Sequence, residues 1–157
     1  MNIAIDKKVF IVTGASSGIG EEICKQLSKK GALVVCAARR KDELDRVSNI
    51  INKSDGVCVP IQTDITVQTQ CQNLINKTLE EFNQVDGLVL NAGISMWARF
   101  DDITNLDFFK KLMDVNYFGA VNCVHSALPH LKKTKGVIVS CSTAQALMGF
   151  PRHSGYA

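Results

Sequence analysis

An apolar run, Val9 to Val12, passes through Thr13-Gly14-Ala15-Ser16-Ser17-Gly18-Ile19-Gly20 into a helical pattern at Ile23 and Leu27. Strand, glycine turn and helix in direct succession leave few folds open to the chain. Glycines spaced G-x-x-x-G-x-G let the strand turn sharply and let the start of the helix come close to a ligand. A helix amino terminus offers unpaired N–H groups and the positive end of the dipole, which suits a pyrophosphate. The spacing differs from the G-x-G-x-x-G dinucleotide fingerprint, but the mechanics are the same. By itself such a turn is weak evidence, since a minority of such turns are only plain strand–helix loops, and what strengthens this one lies downstream.

Downstream, Ile19, Ile23 and Leu27 form the helical stripe of the first helix, which Gly31 ends, and Ala32 to Ala38 form a second continuous apolar strand, closed by Arg39-Arg40. A helix from Lys41 buries Leu44, Val47 and Ile50 or Ile51, and Val57 to Ile61 form a third strand. Pro60 cannot donate to a ladder, which places that strand at a sheet edge. Thr66 is the expected cap of a helix with Val67, Cys71, Leu74 or Ile75, Thr78 and Phe82 on its buried stripe. After Asp86-Gly87 comes a fourth strand, Leu88 to Leu90, ending in Asn91-Ala92-Gly93. An irregular stretch, Ile94 to Ile103, carries the single tryptophan, Trp97. A long helix from about Asn105 to Leu131 is expected to bury Leu106, Phe109, Met113, Tyr117, Ala120, Val124 and Leu128, with Asn116 beside that stripe. Gly136 precedes a fifth strand, Val137 to Cys141, and a loop runs from Ser142 to Ser154.

Strands alternating with helices predict an α/β domain over residues 1–157: a three-layer, doubly wound parallel sheet of Rossmann type in the order 3-2-1-4-5. In such sheets ligands bind beyond the carboxyl ends of the strands. Thr13, Arg39, Asp64, Asn91 and Ser142 all fall at such ends, and that clustering argues for a site.

A chain of 157 residues has room for one domain of this kind and not two. The net charge of +3 comes without a long basic run, which argues against nucleic acid as the main partner. The six cysteines contain no C-x-x-C pair and read as reduced core or edge residues of a cytoplasmic protein. His125, His130 and His153 lack the mutual spacing of a metal site, so no metal is expected. No window of about 20 apolar residues suggests a membrane span.

Taken together, these residues resemble the short-chain dehydrogenase/reductase (SDR) family, over nearly the whole chain. Thr13 to Gly20 is similar to its T-G-x-x-x-G-x-G cofactor loop, which implies cofactor contacts from Gly14, Ser16, Ser17, Gly18, Ile19 and Gly20. Asp64 and Ile65 resemble its adenine-binding pair, and Asn91, Ala92 and Gly93 resemble the tripeptide that closes over the cofactor, although Leu90 stands where the family usually has another asparagine. Asn116 resembles the asparagine of the family's catalytic helix, Ser142 its substrate-orienting serine, and Tyr156 its catalytic tyrosine. The family motif is Y-x-x-x-K, whose lysine falls at position 160, beyond Ala157. The resemblance therefore implies the amino-terminal part of a longer protein, scarcely able to turn over in this form, poorly soluble as an isolated fragment, and without the segment that selects the substrate. Family members are commonly dimers or tetramers, so a homo-oligomer is expected.

Cofactor choice turns on the end of the second strand. An acidic residue there would hold a free ribose 2′-hydroxyl, whereas this chain has Ala38, Arg39 and Arg40. Guanidinium groups pair with phosphate through charge-assisted bonds, so the cofactor expected is NADP(H), with Arg39 as the closer ligand. The implied reaction is hydride transfer between the nicotinamide and a carbonyl or secondary alcohol, with Tyr156 moving the hydroxyl proton. A phenol in water titrates near pH 10, and lowering it to neutrality costs about 4 kcal/mol, which a cation about 4 Å away can supply. In the family a lysine does so. Ser140 or Thr143 could take the place of Ser142, and Met96, Trp97 and Phe100 are equally consistent with a substrate pocket or with packing under a loop. The competing readings are a non-catalytic dinucleotide-binding regulatory or interaction protein, for which Asn116, Ser142 and Tyr156 are superfluous, and another Rossmann enzyme such as a methyltransferase, which explains neither Arg39 nor the Ser142 and Tyr156 pair.

Overall fold

The computed structural model describes residues 5–156. Its strands are β1 (Val9–Thr13), β2 (Leu33–Ala38), β3 (Val57–Gln62), β4 (Gly87–Leu90) and β5 (Val137–Ser140), and its helices are α1 (Gly18–Lys29), α2 (Lys41–Asn52), α3 (Gln68–Phe82), α4 (Asp107–Met113) and α5 (Gly119–Thr134). All strand pairs are parallel, in the order β3-β2-β1-β4-β5. β3, with Pro60, lies at one edge as expected. At the other edge, β5 leaves Ile138 and Val139 about half exposed.

Alternation along β1 feeds two cores. Phe10 and Val12 pack with Val34, Cys36, Leu44 and Val47 beneath α1 and α2, while Ile11 packs with Val35, Leu74, Ile75, Leu88 and Cys123 beneath α3 and α5. Each aliphatic side chain fully removed from water here contributes roughly 1.5–3 kcal/mol. At the amino end of the sheet, buried Asp86 accepts hydrogen bonds from the Val9 N–H at 2.9 Å and from Lys8 Nζ at 3.0 Å, tying β4 to the start of β1.

Three helix expectations need correction. Along α1 the fully covered positions are Gly20 and Cys24, whereas Ile23 and Leu27 are half-buried and Ile19 is 70% exposed. Thr66 does not cap α3: its hydroxyl donates to Asp64 Oδ1 at 2.8 Å, the capping position is Val67, and Val67 itself is exposed. The pair left open in α2 resolves without correction: Ile51 is buried and Ile50 is exposed.

The third correction is the largest. The expected long helix is α4 and α5 joined by a π-helical turn, Asp114–Phe118, and its buried stripe is Leu112, Val115, Gly119, Cys123, Ala127 and Leu131. Met113, Tyr117 and Leu128, expected inside, are exposed, as is Leu106. Small side chains are the cause. A Cβ on Gly119 would lie 2.6 Å from Ile65 Cδ1, so the helix approaches its neighbours more closely than a larger residue allows. Counting large apolar residues alone picks the adjacent stripe, one position later in the chain.

Candidate functional site

The carboxyl ends of β1 and β4 are joined through one hydroxyl. Thr13 Oγ1 donates to the Val89 carbonyl at 3.1 Å and accepts from the Asn91 and Ala92 N–H groups at 3.0 and 3.1 Å. Asn91 answers from β4, its Nδ2 donating to the Thr13 and Gly14 carbonyls at 3.1 and 3.3 Å. Gly14 then turns at φ +66°, and a Cβ there would stand 2.8 Å from Ala92 Cα, so only glycine permits this approach of two loops. Thr13→Val is expected to leave two N–H groups and a carbonyl short of a partner and to lower stability by about 3 kcal/mol. Urea denaturation checks this, and a loss under about 1 kcal/mol would show that water replaces the hydroxyl.

The turn opens onto a cleft of about 520 Å³ lined by Gly14, Ser16, Ser17, Arg39, Arg40, Asp64, Ile65, Ala92 and Gly93, among others. Nine of the residues expected to touch a cofactor thus meet at one surface. Gly18 and Ile19 are exposed and do not line it; Gly20 lies beneath the turn, and Asn91 acts through the Thr13 and Gly14 carbonyls and lines the adjoining cleft. Ser17 precedes α1 with no side-chain cap bond, so the first-turn N–H groups have no capping side chain to satisfy them. At the far wall Arg40 Nη2 donates to Ser16 Oγ at 3.0 Å and Ser17 Oγ at 2.7 Å, while the carbonyl of Arg39 accepts from Gln62. Asp64 Oδ1 accepts from the N–H and hydroxyl of Thr66. A cleft with free helix-end donors, two hydroxyls and two guanidinium groups fits a dinucleotide carrying several phosphates.

A second cleft of about 380 Å³ holds Asn116, Ser142 and Tyr156, the three residues expected to do chemistry, together with Ser140, Cys141 and Thr143. Ala92, Gly93 and Ile94 line both clefts, so the two sites share a wall. Asn116 sits in the π-helical turn, where the extra residue swings its side chain onto the loop after β4. Its Oδ1 accepts from the Ile94 N–H at 2.8 Å and its Nδ2 donates to the Ile94 carbonyl at 2.9 Å.

Beyond these clefts, Met96 is buried, whereas Trp97 and Phe100 are exposed. Trp97 stacks edge-on against His153 at 4.7 Å, and the Ala98 N–H donates to the Arg152 carbonyl at 3.0 Å, stitching the loop after β4 to the segment before Tyr156. His153 is 6% exposed with both ring nitrogens unpartnered, a burial that its place in a polar loop did not announce.

Sequence reasoning missed Glu21 and Arg46. The Arg46 guanidinium beside Glu21, helped by Lys25, brings the Glu21 carboxyl down to about 2. The only signal in the sequence is a basic residue on the polar face of α2, which reads as solvated. Five cysteines are buried and Cys141 is exposed. Sulfur contacts, Cys24 for Cys36 and Cys36 for Cys58, together with burial hold the Cys36 and Cys58 thiols far above the usual range, so they behave as apolar core groups. Among the described residues no cluster of His, Cys, Asp or Glu could hold a metal, and no helix is long and apolar enough to cross a membrane.

Comparison with known proteins agrees with this geometry. A family model described as short chain dehydrogenase matches residues 8–157. The 11-beta-hydroxysteroid dehydrogenase-like 2 protein of Arabidopsis thaliana is 36% identical over 151 residues, covering 96% of this chain and 49% of its own length. The dehydrogenase/reductase SDR family protein 7-like of Dictyostelium discoideum is 32% identical over 156 residues, again covering 96% and 49%. This chain spans about half the length of the curated relatives it matches. A short chain dehydrogenase/reductase from Burkholderia phymatum in complex with NAD superposes with a TM-score of 0.94 at 24% identity, covering 99% of this chain and 56% of its own. An alcohol dehydrogenase of Thermococcus sibiricus complexed with 5-hydroxy-NADP gives 0.91 at 27% identity, covering 96% and 64%. With its strand order, glycine turn and matched residues in agreement, the chain belongs to the short-chain dehydrogenase family of oxidoreductases.

Proposed function

We propose that the protein is an NADP(H)-dependent oxidoreductase that moves a hydride between the nicotinamide and a carbonyl or secondary-alcohol carbon. The observation that carries this reading is the shared wall: Ala92, Gly93 and Ile94 separate a phosphate-binding cleft from the cleft of Asn116, Ser142 and Tyr156. When bound, the nicotinamide supplies or takes up the hydride. Ser142 orients the substrate oxygen by hydrogen bonding, and Tyr156 gives or takes the proton at that oxygen. Asn116 holds the loop at Ile94, and so keeps the shared wall in register with the helix that carries it. Ala38, Arg39 and Arg40 support the 2′-phosphorylated cofactor, because no carboxylate stands at the end of β2 to bind a free ribose hydroxyl or to repel a phosphate. Among the relatives, the name 11-beta-hydroxysteroid dehydrogenase-like supports a ketone or alcohol on a large apolar skeleton as the first substrate class to try.

The test is reduction of a panel of ketones, steroid ketones included, by the whole protein with NADPH and with NADH. Turnover with NADPH at least about tenfold above NADH is expected. Equal use of both would refute the cofactor assignment. Tight NADPH binding without turnover of any carbonyl would favour the non-catalytic reading.

A further inference from the structure

The Arg46 guanidinium has a partner at every nitrogen. Its Nε donates to Glu43 Oε2 at 2.8 Å, its Nη1 to Glu21 Oε1 at 3.0 Å, and its Nη2 to Glu21 Oε2 at 2.6 Å and to the Ser16 carbonyl at 3.4 Å. Lys25 Nζ adds a bond to Glu21 Oε1 at 2.7 Å. The network ties the first turn of α1 to the middle of α2, and it reaches the same Ser16 whose hydroxyl Arg40 holds.

Glu21 makes this arrangement informative. A carboxylate in the first turn complements the helix dipole, yet Arg46 bridges it to Ser16, whose hydroxyl is held by Arg40, one of the two cations assigned to the 2′-phosphate. The Glu21 side chain is only 13% exposed, so water screens it poorly. Without Arg46, Glu21 would keep only Lys25, Glu43 would have no ion-pair partner among the described residues, and the Ser16 carbonyl would lose its guanidinium contact.

We propose that Arg46 is a specificity-determining residue for the 2′-phosphorylated dinucleotide, acting by neutralising Glu21 beside the Ser16–Ser17 turn rather than by touching the phosphate. The inference rests on the NADP(H) reading above. Glu21 and Glu43 with Arg46 and Lys25 form one charge-balanced unit, so that an incoming 2′-phosphate meets the cations Arg39 and Arg40 without an uncompensated carboxylate. Arg39 and Arg40 provide the attraction, and Arg46 removes the repulsion.

The experiment is calorimetric titration of NADPH and NADH into the wild type, Arg46→Met, Glu21→Gln and the double variant, with thermal melts as the control for folding. Wild type is expected to prefer NADPH. Arg46→Met is expected to reduce that preference about fivefold, chiefly by weakening NADPH, and the reduction should shrink at high salt. The decisive variant is the double one: removing the Glu21 charge in the Arg46→Met background should restore the preference to within about twofold of wild type. Arg46→Lys should keep most of it. If Arg46→Met retains the full preference, or if the double variant stays as low as Arg46→Met, the inference is wrong and Arg46 is only a clamp between helices. A wild type without preference for NADPH would overturn the cofactor reading itself, and this inference with it.

Discussion

Replacing Tyr156 with phenylalanine is expected, on the proposed function, to lower turnover of the whole protein about a thousandfold while NADPH affinity stays within about twofold of wild type. The ring is held by contacts that phenylalanine keeps. Its centroid lies 5.9 Å from that of His153, and its backbone N–H donates to the His153 carbonyl at 2.9 Å. Only the hydroxyl disappears, and with it the group assigned to carry the proton. General acid–base catalysis by one positioned side chain is worth about 10²–10⁴ in rate, so a thousandfold loss corresponds to about 4 kcal/mol of transition-state stabilisation. Single-turnover hydride transfer, followed by the loss of NADPH absorbance, separates this from an effect on binding. Retention of more than about a tenth of the wild-type rate would mean that the proton travels by another route, and the hydroxyls of Ser140, Ser142 and Thr143 in the same cleft would be examined next.

Gly20→Ala is the second large effect, and it acts on binding. A Cβ at position 20 would run into the Gly14 carbonyl oxygen and come within 2.5 Å of Asn91 Nδ2. Neither atom can yield cheaply, since Asn91 Nδ2 is bonded to that same carbonyl and to the one before it, which holds the β1 and β4 loops together. The turn must therefore lift away from α1, at about 1–3 kcal/mol, and the donors at the start of α1 move out of line with the cleft. The expected result is dinucleotide affinity reduced by about a hundredfold or more with the helical circular dichroism retained, because the clash is confined to the turn. NADPH binding within tenfold of wild type would show that the turn and α1 need not touch.

Much of this was legible in the residues because the signals are local. β1, Val9–Thr13, holds the whole apolar run from Val9 to Val12 and ends where the glycine turn begins, and Pro60 announced the edge strand. Gly31 does stand at φ +82° just past α1. The helical faces were less legible. A period of 3.6 residues says that α5 has a buried face, but Gly119, Cys123 and Ala127 make that face with small groups, and bulk alone favoured Met113 and Tyr117. The π-helical turn at Asp114–Phe118 also left no trace in the pattern, since an extra residue in one turn is a consequence of packing.

The sequence by itself determined the order of the elements, the glycine turn, the polar residues at the carboxyl ends of the strands and the family they resemble. Each depends on neighbours a few residues apart, or on a strand ending where a helix begins. Only the tertiary structure decided that Ala92 to Ile94 form a wall common to two clefts, that Asn116 clasps Ile94, and that Arg46 reaches Glu21 twenty-five positions away. Those partners lie on different elements of the fold. What joins them is the way α1 and α2 lie side by side on one face of the sheet and the long helix packs on the other, and no spacing along the chain encodes the distance between two helices.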